Sequence, residues 1–302
     1  IGIPHDVRIV ATSLDGYGRP AISLRSASCA NPTDEILCKT DENVGIFKRA
    51  LPAGKWFVSV SATAPSLVSF DVILEDPSDA SADENCDSSP QLVAGSPTLV
   101  SFDKHTSDIA ALCGTPSADA AYAFNLTGLS DALLIARYSQ SDQGALALLK
   151  PGCSSTDLIK CVSTYSSPIR VIRHALAAGD YRAAISSLHG NPASLTAFIR
   201  PAKAPVAVLF ADRCDDAIDI GVDGGSFEGN TNNANADYAA GCDQSGGAAF
   251  GAPDQMLRLI LPEKRRVLLD MQGSGYRTLL NVRRGPACPG AELVNSCAVG
   301  YY

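Results

Sequence analysis

The sequence predicts an all-β protein made of tandem antiparallel β-sandwich modules, jelly-roll-like and stapled by disulfides. Three observations support this prediction. Apolar side chains alternate along many short segments, cysteines recur in pairs at two spacings, and a turn-and-strand element is repeated. The apolar fraction of 46% is ample for packed cores. Frequent serine, alanine, glycine and valine suit short strands and turns better than long helices.

The repeated element is LPAGKWFVSVSA (Leu51–Ala62), which returns 125 residues later as LAAGDYRAAISS (Leu176–Ser187). Gly54 and Gly179 hold the turn before each strand, where a positive φ suits glycine. The alternating apolar positions share one strand face, namely Trp56, Val58, Val60 and Ala62 in the first copy, and Tyr181, Ala183 and Ile185 in the second. Only a buried face must stay apolar, so the opposite face is free to change. Trp56 is therefore predicted to pack in a core.

Other segments alternate in the same way and are predicted to be strands. Their apolar faces are Val7, Ile9 and Ala11; Val68, Phe70, Val72 and Leu74; Tyr122, Phe124 and Leu126; and Val267, Leu269 and Met271. Short strands separated by Gly, Ser, Asp and Asn turns are typical of antiparallel sandwiches.

The internal repeat divides the chain into three copies. Residues 1–78 hold the C-terminal part of a first repeat, 79–203 a complete second repeat, and 204–302 the N-terminal part of a third. We interpret the sequence as a piece of a longer chain. Incomplete end modules expose sheet edges, which invite strand addition from neighbouring repeats or from other copies of the protein.

Ten cysteines form five consecutive pairs along the chain: Cys29/Cys38, Cys86/Cys113, Cys153/Cys161, Cys214/Cys242 and Cys288/Cys297. The separations are 9, 27, 8, 28 and 9 positions, alternately short and long. The repetition predicts that each pair forms a sequential disulfide, and disulfides indicate an oxidising compartment. A zinc site is not expected, because no CxxC occurs. The predicted location is extracellular or on the cell surface.

The net charge of −8 and the pI of about 5.0 exclude a basic nucleic-acid footprint. No apolar run approaches the roughly 18–20 residues of a membrane-spanning helix.

Candidate ligand-binding residues concentrate in one polar stretch, which contains Asp215, Asp216, Asp219, Asp223, Asn230, Asn232, Asn233, Asn235 and Asp237. Their oxygens suit calcium, but no EF-hand spacing is present, and such residues also dominate ordinary turns. The prediction is a solvated loop with no cofactor, and calcium is the one ion left open. No GxSxG motif accompanies the histidines His5, His105, His174 and His189, so no enzyme activity is predicted.

The run SGYRTLLNVRRGPACPGAELVNSC, the LxAGxYxxxI element and the opening DRCDDAIDIGVDGGSFEGNTNNANADY together resemble the bacterial pre-peptidase C-terminal domain. They are closest to its disulfide-containing repeats in large secreted proteins of myxobacteria and their relatives. The resemblance implies an accessory β-sandwich, which in some relatives binds calcium or matrix polymers. Relatives often carry acidic residues after the short cysteine pair. Only the first copy has them here, as Asp41 and Glu42.

The sequence therefore predicts a non-catalytic extracellular or cell-surface repeat region that acts as scaffold, spacer or adhesive module of a larger secreted protein. The alternative is a carbohydrate- or matrix-binding accessory module of a secreted hydrolase, assisted by calcium. The corresponding partners are neighbouring repeats or further copies of the protein in the first case, and a polysaccharide or matrix polymer in the second.

Overall fold

The computed structural model describes residues 1–26, 31–41, 43–115, 117–140, 142–243, 251–265, 267–271 and 274–300. Their helical segments are single 3-10 turns: Pro32–Asp34, Ala82–Glu84, Ser155–Asp157 and Cys214–Asp216. None of these has the length and apolarity that crossing a membrane requires. The chain divides into two compact units, Ile1–Pro201 and Ala202–Tyr302. The predicted all-β fold is confirmed.

The first unit contains two β-sandwich modules, called here the first module (residues 1–75) and the middle module (79–201). The strands described in the first module are β1 (His5–Ser13), β2 (Pro20–Arg25), β3 (Glu35–Thr40), β4 (Asn43–Leu51), β5 (Phe57–Ala62) and β6 (Val68–Glu75). Those of the middle module are β7 (Thr98–Val100), β8 (Ala118–Leu126), β9 (Ser130–Tyr138), β10 (Gly144–Leu149), β11 (Leu158–Thr164), β12 (Ile169–Leu176), β13 (Gly179–Ser187) and β14 (Ala193–Pro201). The strands of both modules pair antiparallel.

The middle module is a sandwich of two four-stranded sheets, with strand orders β11-β10-β13-β8 and β12-β9-β14-β7. Side chains from both sheets meet in one core, which includes Tyr122, Phe124, Leu126, Leu134, Leu146, Leu148, Tyr181, Ala183, Ile185 and Leu195. The alternation predicted for the Tyr122 and Tyr181 strands is confirmed, because every second residue enters this core.

The first module has two three-stranded sheets, with strand orders β3-β2-β5 and β4-β1-β6. Its smaller core includes Val7, Ile9, Ala11, Ile22, Leu24, Val44, Ile46 and Leu51. Trp56 is half-buried and packs against this core, as predicted. The predicted strand β6 forms, but its side chains at Phe70, Val72 and Leu74 are exposed.

Strands β1–β6 correspond to β9–β14 in order and in register. Ile22 lies opposite Val60 in the first module, and Leu146 lies opposite Ile185 in the middle module. A shared backbone detail supports this correspondence. Ala50 and Ala175 both have positive φ, of 47° and 52°. Their amides donate to Asp6 at 2.7 Å and to Asp131 at 3.1 Å, respectively. These carboxylates hold the same bulge in both modules, immediately before the repeated LPAG or LAAG turn.

The second unit contains short strands: β15 (Val206–Val208), β16 (Ile218–Ile220), β17 (Phe227–Gly229), β18 (Leu257–Leu259), β19 (Thr278–Leu280), β20 (Arg283–Arg284), β21 (Ala291–Glu292) and β22 (Ala298–Gly300). The strand predicted at Val267, Leu269 and Met271 is wrong for the described part of this segment, which has no strand. In the middle module the corresponding strand β9 is paired on both sides, by β12 and β14. No strand described in the second unit takes those places.

The predicted sequential disulfides are wrong wherever both cysteines of a predicted pair are described. The disulfides are Cys86–Cys153, Cys113–Cys161, Cys214–Cys288 and Cys242–Cys297. Each long pair is therefore joined to the following short pair. Cys29 lies outside the described residues, so the predicted Cys29–Cys38 bridge is not described. Cys38 has no disulfide partner in the described part of the chain.

The packing of the loop before β8 explains this pairing. The buried side chains of Cys86, Ile109 and Ala111 pack against Ala147 and Leu149, on the β10 face that points away from the main core. Cys153 follows β10 in the turn, and Cys161 lies on β11, the partner of β10. The loop thus brings Cys86 and Cys113 across the sheet to these two positions. Each disulfide fastens the loop to the hairpin rather than closing the loop on itself.

Candidate functional site

The first and middle modules meet at what we call the joint, which is centred on a buried ion pair. The guanidinium of Arg49, on β4, donates to Glu84 through Nη2 at 2.5 Å and Nη1 at 3.2 Å. The Glu84 side chain is 2% exposed. It also accepts from the amide of Ser81 at 3.1 Å and from the amide and hydroxyl of Thr106 at 2.7 and 2.9 Å. Burial raises the pKa of Glu84, but the hydrogen bonds from Arg49 and Thr106 outweigh burial and hold that pKa below its usual range.

A second buried set, beside Glu84, contains the only predicted candidate histidine with a fully enclosed ring. His105 Nε2 lies 3.1 Å from Asp83, and the Tyr122 hydroxyl donates to the same carboxylate at 2.7 Å. The other ring nitrogen of His105 lies 3.0 Å from the Asp103 carbonyl. Both ring nitrogens are therefore engaged, so His105 has no free nitrogen to act as a base towards a hydroxyl. All of these contacts lie within the middle module, and the set does not resemble a hydrolase triad.

Further polar contacts bridge the two modules. Arg8 pairs with Asp103 at 2.5 Å, and Lys104 pairs with Glu75 at 2.6 Å. At another point, the ring of His189 lies 2.6 Å from Asp41 of the first module. These pairs are partly exposed, so each contributes little compared with the Arg49–Glu84 pair.

The joint includes one of the two acidic residues that follow the short cysteine pair of the first copy. Asp41, which the family resemblance suggested as an acidic ligand of calcium, is paired with His189 across the modules. Its neighbour Glu42 lies outside the described residues.

An open sheet edge is the most conspicuous surface of the first module. We define it as the unpaired sides of β5 and β6, each of which pairs with only one described strand. A cavity of about 400 Å³ lies between them and is lined by apolar side chains, including Leu24, Leu51, Trp56, Val58, Val72 and Leu74. Phe70 of β6 is 55% exposed, whereas the corresponding Leu195 of β14 is fully buried. Exposed contiguous apolar surface of this kind is characteristic of interaction sites.

The middle module shows what covers the same two edges. There β8 pairs with the outer side of β13, and β7 pairs with the outer side of β14. Phe124 of β8 stacks on Tyr181, with ring centroids 5.7 Å apart. Tyr181 corresponds to Trp56, and both donate to a carbonyl of the preceding turn: Trp56 to Pro52 at 2.9 Å and Tyr181 to Ala177 at 3.0 Å. Trp56 and Tyr181 thus have the same local structure, but only Tyr181 is covered by a neighbouring strand.

Two carboxylates recur at matching places in the middle module and the second unit. Asp119 accepts the amides of Asp108 and Ile109, both at 3.0 Å, while its other oxygen is buried without a partner. Asp254 accepts the Tyr238 amide at 3.0 Å and likewise has a buried, unpartnered oxygen. Burial, together with the nearby Asp108, raises the pKa of Asp119 to about 7. Asp119 lines a cavity of about 230 Å³ that has both polar and apolar walls.

A repeated loop motif in the sequence precedes both carboxylates. DIAALC (residues 108–113) and DYAAGC (residues 237–242) are the same motif, and each is followed by an aspartate near the start of the next strand: Asp119 is the second residue of β8, and Asp254 lies three residues before β18. The described residues contain no group of three or more His, Cys, Asp or Glu side chains placed to hold a metal ion.

The predicted polar stretch from Asp215 to Asp237 is dispersed. Asp219 pairs with Arg258 at 2.5 Å. Asn235 donates to Asp212 at 2.6 and 2.7 Å, through its backbone and its side chain. Asp223 lies 4.0 Å from Lys203. Asp237 lies next to Tyr238, whose amide binds Asp254. Because each of these groups contacts a different partner, they point in different directions, as expected for a loop held by local contacts.

The remaining candidate histidines make peripheral contacts. His5 Nδ1 lies 3.1 Å from the Glu75 carbonyl. His174, about half exposed, lies 3.4 Å from Asp131 and occupies the position that Arg49 has in the first module.

Comparisons with known proteins give only distant structural likenesses. No family model matches the sequence, and no curated protein matches it significantly. The tandem CBM22 domains of Paenibacillus barcinonensis Xyn10C share 9% identity, covering 66% of this chain and 79% of that one, with a TM-score of 0.20. The VP2 subviral particle of infectious bursal disease virus shares 11% identity over 66% and 57%, with a TM-score of 0.18. The vicilin of Solanum melongena shares 11% over 68% and 73%, with a TM-score of 0.12.

Proposed function

We propose that the chain is a non-catalytic repeat region of a larger extracellular or cell-surface protein, in which β-sandwich modules are held in fixed succession as a scaffold or spacer. The observation that carries this proposal is the joint between the first and middle modules. A flexible tether would leave the facing surfaces solvated, whereas this joint buries Glu84 together with Arg49 and aligned hydrogen bonds. The resemblance to pre-peptidase C-terminal repeats agrees with such a role.

Disulfides add support for an oxidising location. Four bridges fasten loops to hairpins in the middle module and the second unit. Such bridges persist in extracellular and periplasmic compartments and are rare in the cytosol. A spacer exposed to proteases and to mechanical load gains from loops that cannot detach from their sheets.

The test removes the ion pair at the joint. We expect Arg49→Ala to leave Glu84 buried and uncompensated, which costs about 3 kcal/mol or more. The residues between the modules, 76–78, should then be cleaved by a protease more than about tenfold faster, and small-angle scattering should show a broader distribution of distances.

His174→Ala is the matched control, because His174 occupies the corresponding position but pairs with Asp131 of its own module and makes no polar contact with the described residues of the first module. It should leave both the cleavage rate and the distribution of distances unchanged. Unaltered cleavage and scattering in Arg49→Ala would refute a fixed joint and, with it, the scaffold role.

The alternative is a carbohydrate- or matrix-binding accessory module. Its best support is two strongly exposed tyrosines, Tyr17 in the β1–β2 turn and Tyr165 in the β11–β12 turn. Aromatic rings can stack on sugars, but these two lie in separate turns and not on one sheet face. Binding to a glycan array that is lost in Tyr17→Ala or Tyr165→Ala would favour this alternative over the spacer.

A further inference from the structure

The buried carboxylate of Asp119 has one oxygen that no described group satisfies. The Asp119 side chain belongs to a residue that is 1% exposed. One of its oxygens, Oδ2, accepts the amides of Asp108 and Ile109, both at 3.0 Å. The other oxygen, Oδ1, is buried and has no hydrogen-bond partner. A buried acceptor without a partner is unfavourable, so such an atom in a native fold points to a ligand or an ion.

The same arrangement recurs in the second unit. Asp254 occupies the place of Asp119, and Asp237 occupies that of Asp108, at the start of the repeated loop motif. Asp254 Oδ2 accepts the Tyr238 amide at 3.0 Å, and its Oδ1 is likewise buried without a partner. The two carboxylates are 11 positions apart in the first case (119 − 108) and 17 in the second (254 − 237). Since the loop length varies while the unpartnered oxygen is kept, this oxygen is a feature of the repeat.

The cavity of about 230 Å³ beside Asp119 is bordered by oxygen-bearing side chains. Its lining includes the exposed carboxylate of Asp108 and the hydroxyl-bearing residues Ser107, Thr115 and Ser117. The described lining contains no His, Cys or Met. Zinc and copper prefer nitrogen and sulfur ligands, whereas calcium takes oxygen ligands alone. The chemistry of this lining therefore suits a hard cation.

The electrostatic surroundings of Asp119 favour the same kind of ligand. Burial, together with the nearby carboxylates of Asp108 and Glu84, raises the pKa of Asp119 to about 7. Glu84 is neutralised by Arg49, but Asp108 has no such ion pair among the described residues. A cation between Asp108 and Asp119 would offset the repulsion between them and stabilise the ionised form of Asp119.

We propose that this cavity is a calcium site, in which Asp119 Oδ1 is the buried ligand and the Asp108 carboxylate is the ligand at the solvent-exposed side. Hydroxyl groups and backbone carbonyls of the same loop, with water, complete the six to eight oxygens that Ca²⁺ takes. The site uses none of the residues of the polar stretch from Asp215 to Asp237. With two carboxylates, it corresponds to the weak affinities of extracellular modules, about 10⁻⁴–10⁻³ M. This expected affinity rests on the extracellular location in the proposed function.

The ion would fasten the loop before β8 to the strand itself. Asp108 begins the repeated loop motif, whereas Asp119 is the second residue of β8. Cys113, at the end of the same motif, is already bonded to Cys161 on β11. The calcium ion and the disulfide thus hold the loop at two separate points.

The test measures Ca²⁺ binding to the full chain carrying Asp254→Asn, which removes the recurring carboxylate and isolates the Asp119 site. Isothermal titration calorimetry at pH 8 should give one ion per chain, with a Kd of about 10⁻⁴–10⁻³ M. Adding Asp119→Asn should weaken binding at least about tenfold, because a charged ligand is lost. Absence of saturable binding up to about 10 mM Ca²⁺, or equal affinity with and without Asp119→Asn, would overturn the proposal.

Proton release identifies the buried ligand. Because the pKa of Asp119 is raised to about 7, Ca²⁺ has to displace a proton from it at pH 6 but not at pH 8. Titrations in buffers of different ionisation enthalpy should therefore report about one proton released per ion at pH 6, and the affinity should be about tenfold lower there than at pH 8. Exposed aspartates are already ionised at pH 6. Equal affinity at both pH values without proton release would place the ion elsewhere and contradict the proposal.

Two control variants separate loss of the ligand from loss of the fold. Asp87→Asn changes an exposed carboxylate of the same module and should leave the Kd unchanged. Asp119→Asn keeps an oxygen for the two amides, so the amides of β8 should stay protected from hydrogen exchange. If that variant does not fold, Asp108→Asn replaces it. Asp108→Asn should weaken binding at least about threefold, and an unchanged Kd in this variant would also contradict the proposal.

The outcome of this experiment is separate from that of the scaffold test. Arg49 is not part of the cavity lining. A failure to bind Ca²⁺ would therefore leave the Arg49→Ala result unchanged, and a mobile joint would leave the Ca²⁺ affinity unchanged.

Discussion

The first and middle modules share six strands in the same order and register, yet they differ in how much of those strands is buried. Leu195 and Ala183 of the middle module are fully buried, whereas Phe70 and Val58 at the corresponding positions are exposed. Strands β7 and β8 make the difference, because they cover β14 and β13 in the middle module alone. An alternating strand therefore specifies which face can be buried, while its neighbours decide whether that face is buried.

The largest expected difference between the two modules comes from their cysteines. The double variant Cys113→Ser, Cys161→Ser removes a bridge that spans 48 residues and should destabilise the middle module by about 4 kcal/mol in the chain-entropy model. Cys38→Ser, at the corresponding position of the first module, should change the stability by less than about 0.5 kcal/mol. Urea unfolding with hydrogen exchange read out strand by strand measures both. Similar losses in the two variants would contradict the assigned pairing.

A matched core substitution tests burial directly. Leu195→Ala should lower the free energy of unfolding of the middle module by about 2–5 kcal/mol, since the side chain leaves a cavity in a closed core. Phe70→Ala, at the corresponding and open position, should cost less than about 1 kcal/mol despite removing a larger side chain. Trp56, the only tryptophan, lies in the first module and reports its unfolding by fluorescence. A larger effect for Phe70→Ala would mean that its face is covered in solution.

A smaller, pH-dependent effect is expected at Asp119. Its pKa is raised to about 7 in the folded state, so the protonated form is favoured by folding. The resulting stabilisation is complete below the unfolded pKa of about 4 and is lost as pH rises through about 7. Asp119→Asn keeps an oxygen for the two amides and does not ionise. The free energy of unfolding of Asp119→Asn, relative to that of wild type, should therefore increase between pH 4 and pH 8. The increase should be at most about 1.4 kcal/mol for each unit of the pKa shift.

The control for this effect is the exposed Asp87, which lies in the same module. Asp87→Asn should follow the wild-type pH profile. The raised pKa of His105 adds a pH dependence of its own, but it is common to all three proteins and cancels in the comparison. Parallel profiles for wild type and Asp119→Asn would show that this carboxyl is not desolvated as described.

Much of the fold could be predicted because alternation is a local property. Val7, Ile9 and Ala11 reveal their strand and its buried face without knowledge of the partner strands. The pairing of the cysteines was not local. Cys153 is nearest along the chain to Cys161, but the preceding loop crosses the sheet and brings Cys86 beside it.

The contact between the two modules could not be predicted from the sequence, for a related reason. Arg49 and Glu84 meet only because two modules adopt one relative placement, which no pattern within either module encodes. The buried carboxylates Asp119 and Asp254 were within reach of the sequence, since both follow a repeated D-x-A-A-x-C motif.

Hydrogen exchange of the intact chain tests the central claim most directly, because it compares β5 with β13 in one sample. We predict that amides of residues 179–187 are protected on both sides of the strand, whereas about half of those in residues 57–62 exchange at the rate of exposed amides. Full protection of residues 57–62 in the isolated chain would show that the edge of β5 is already paired, and would contradict the account.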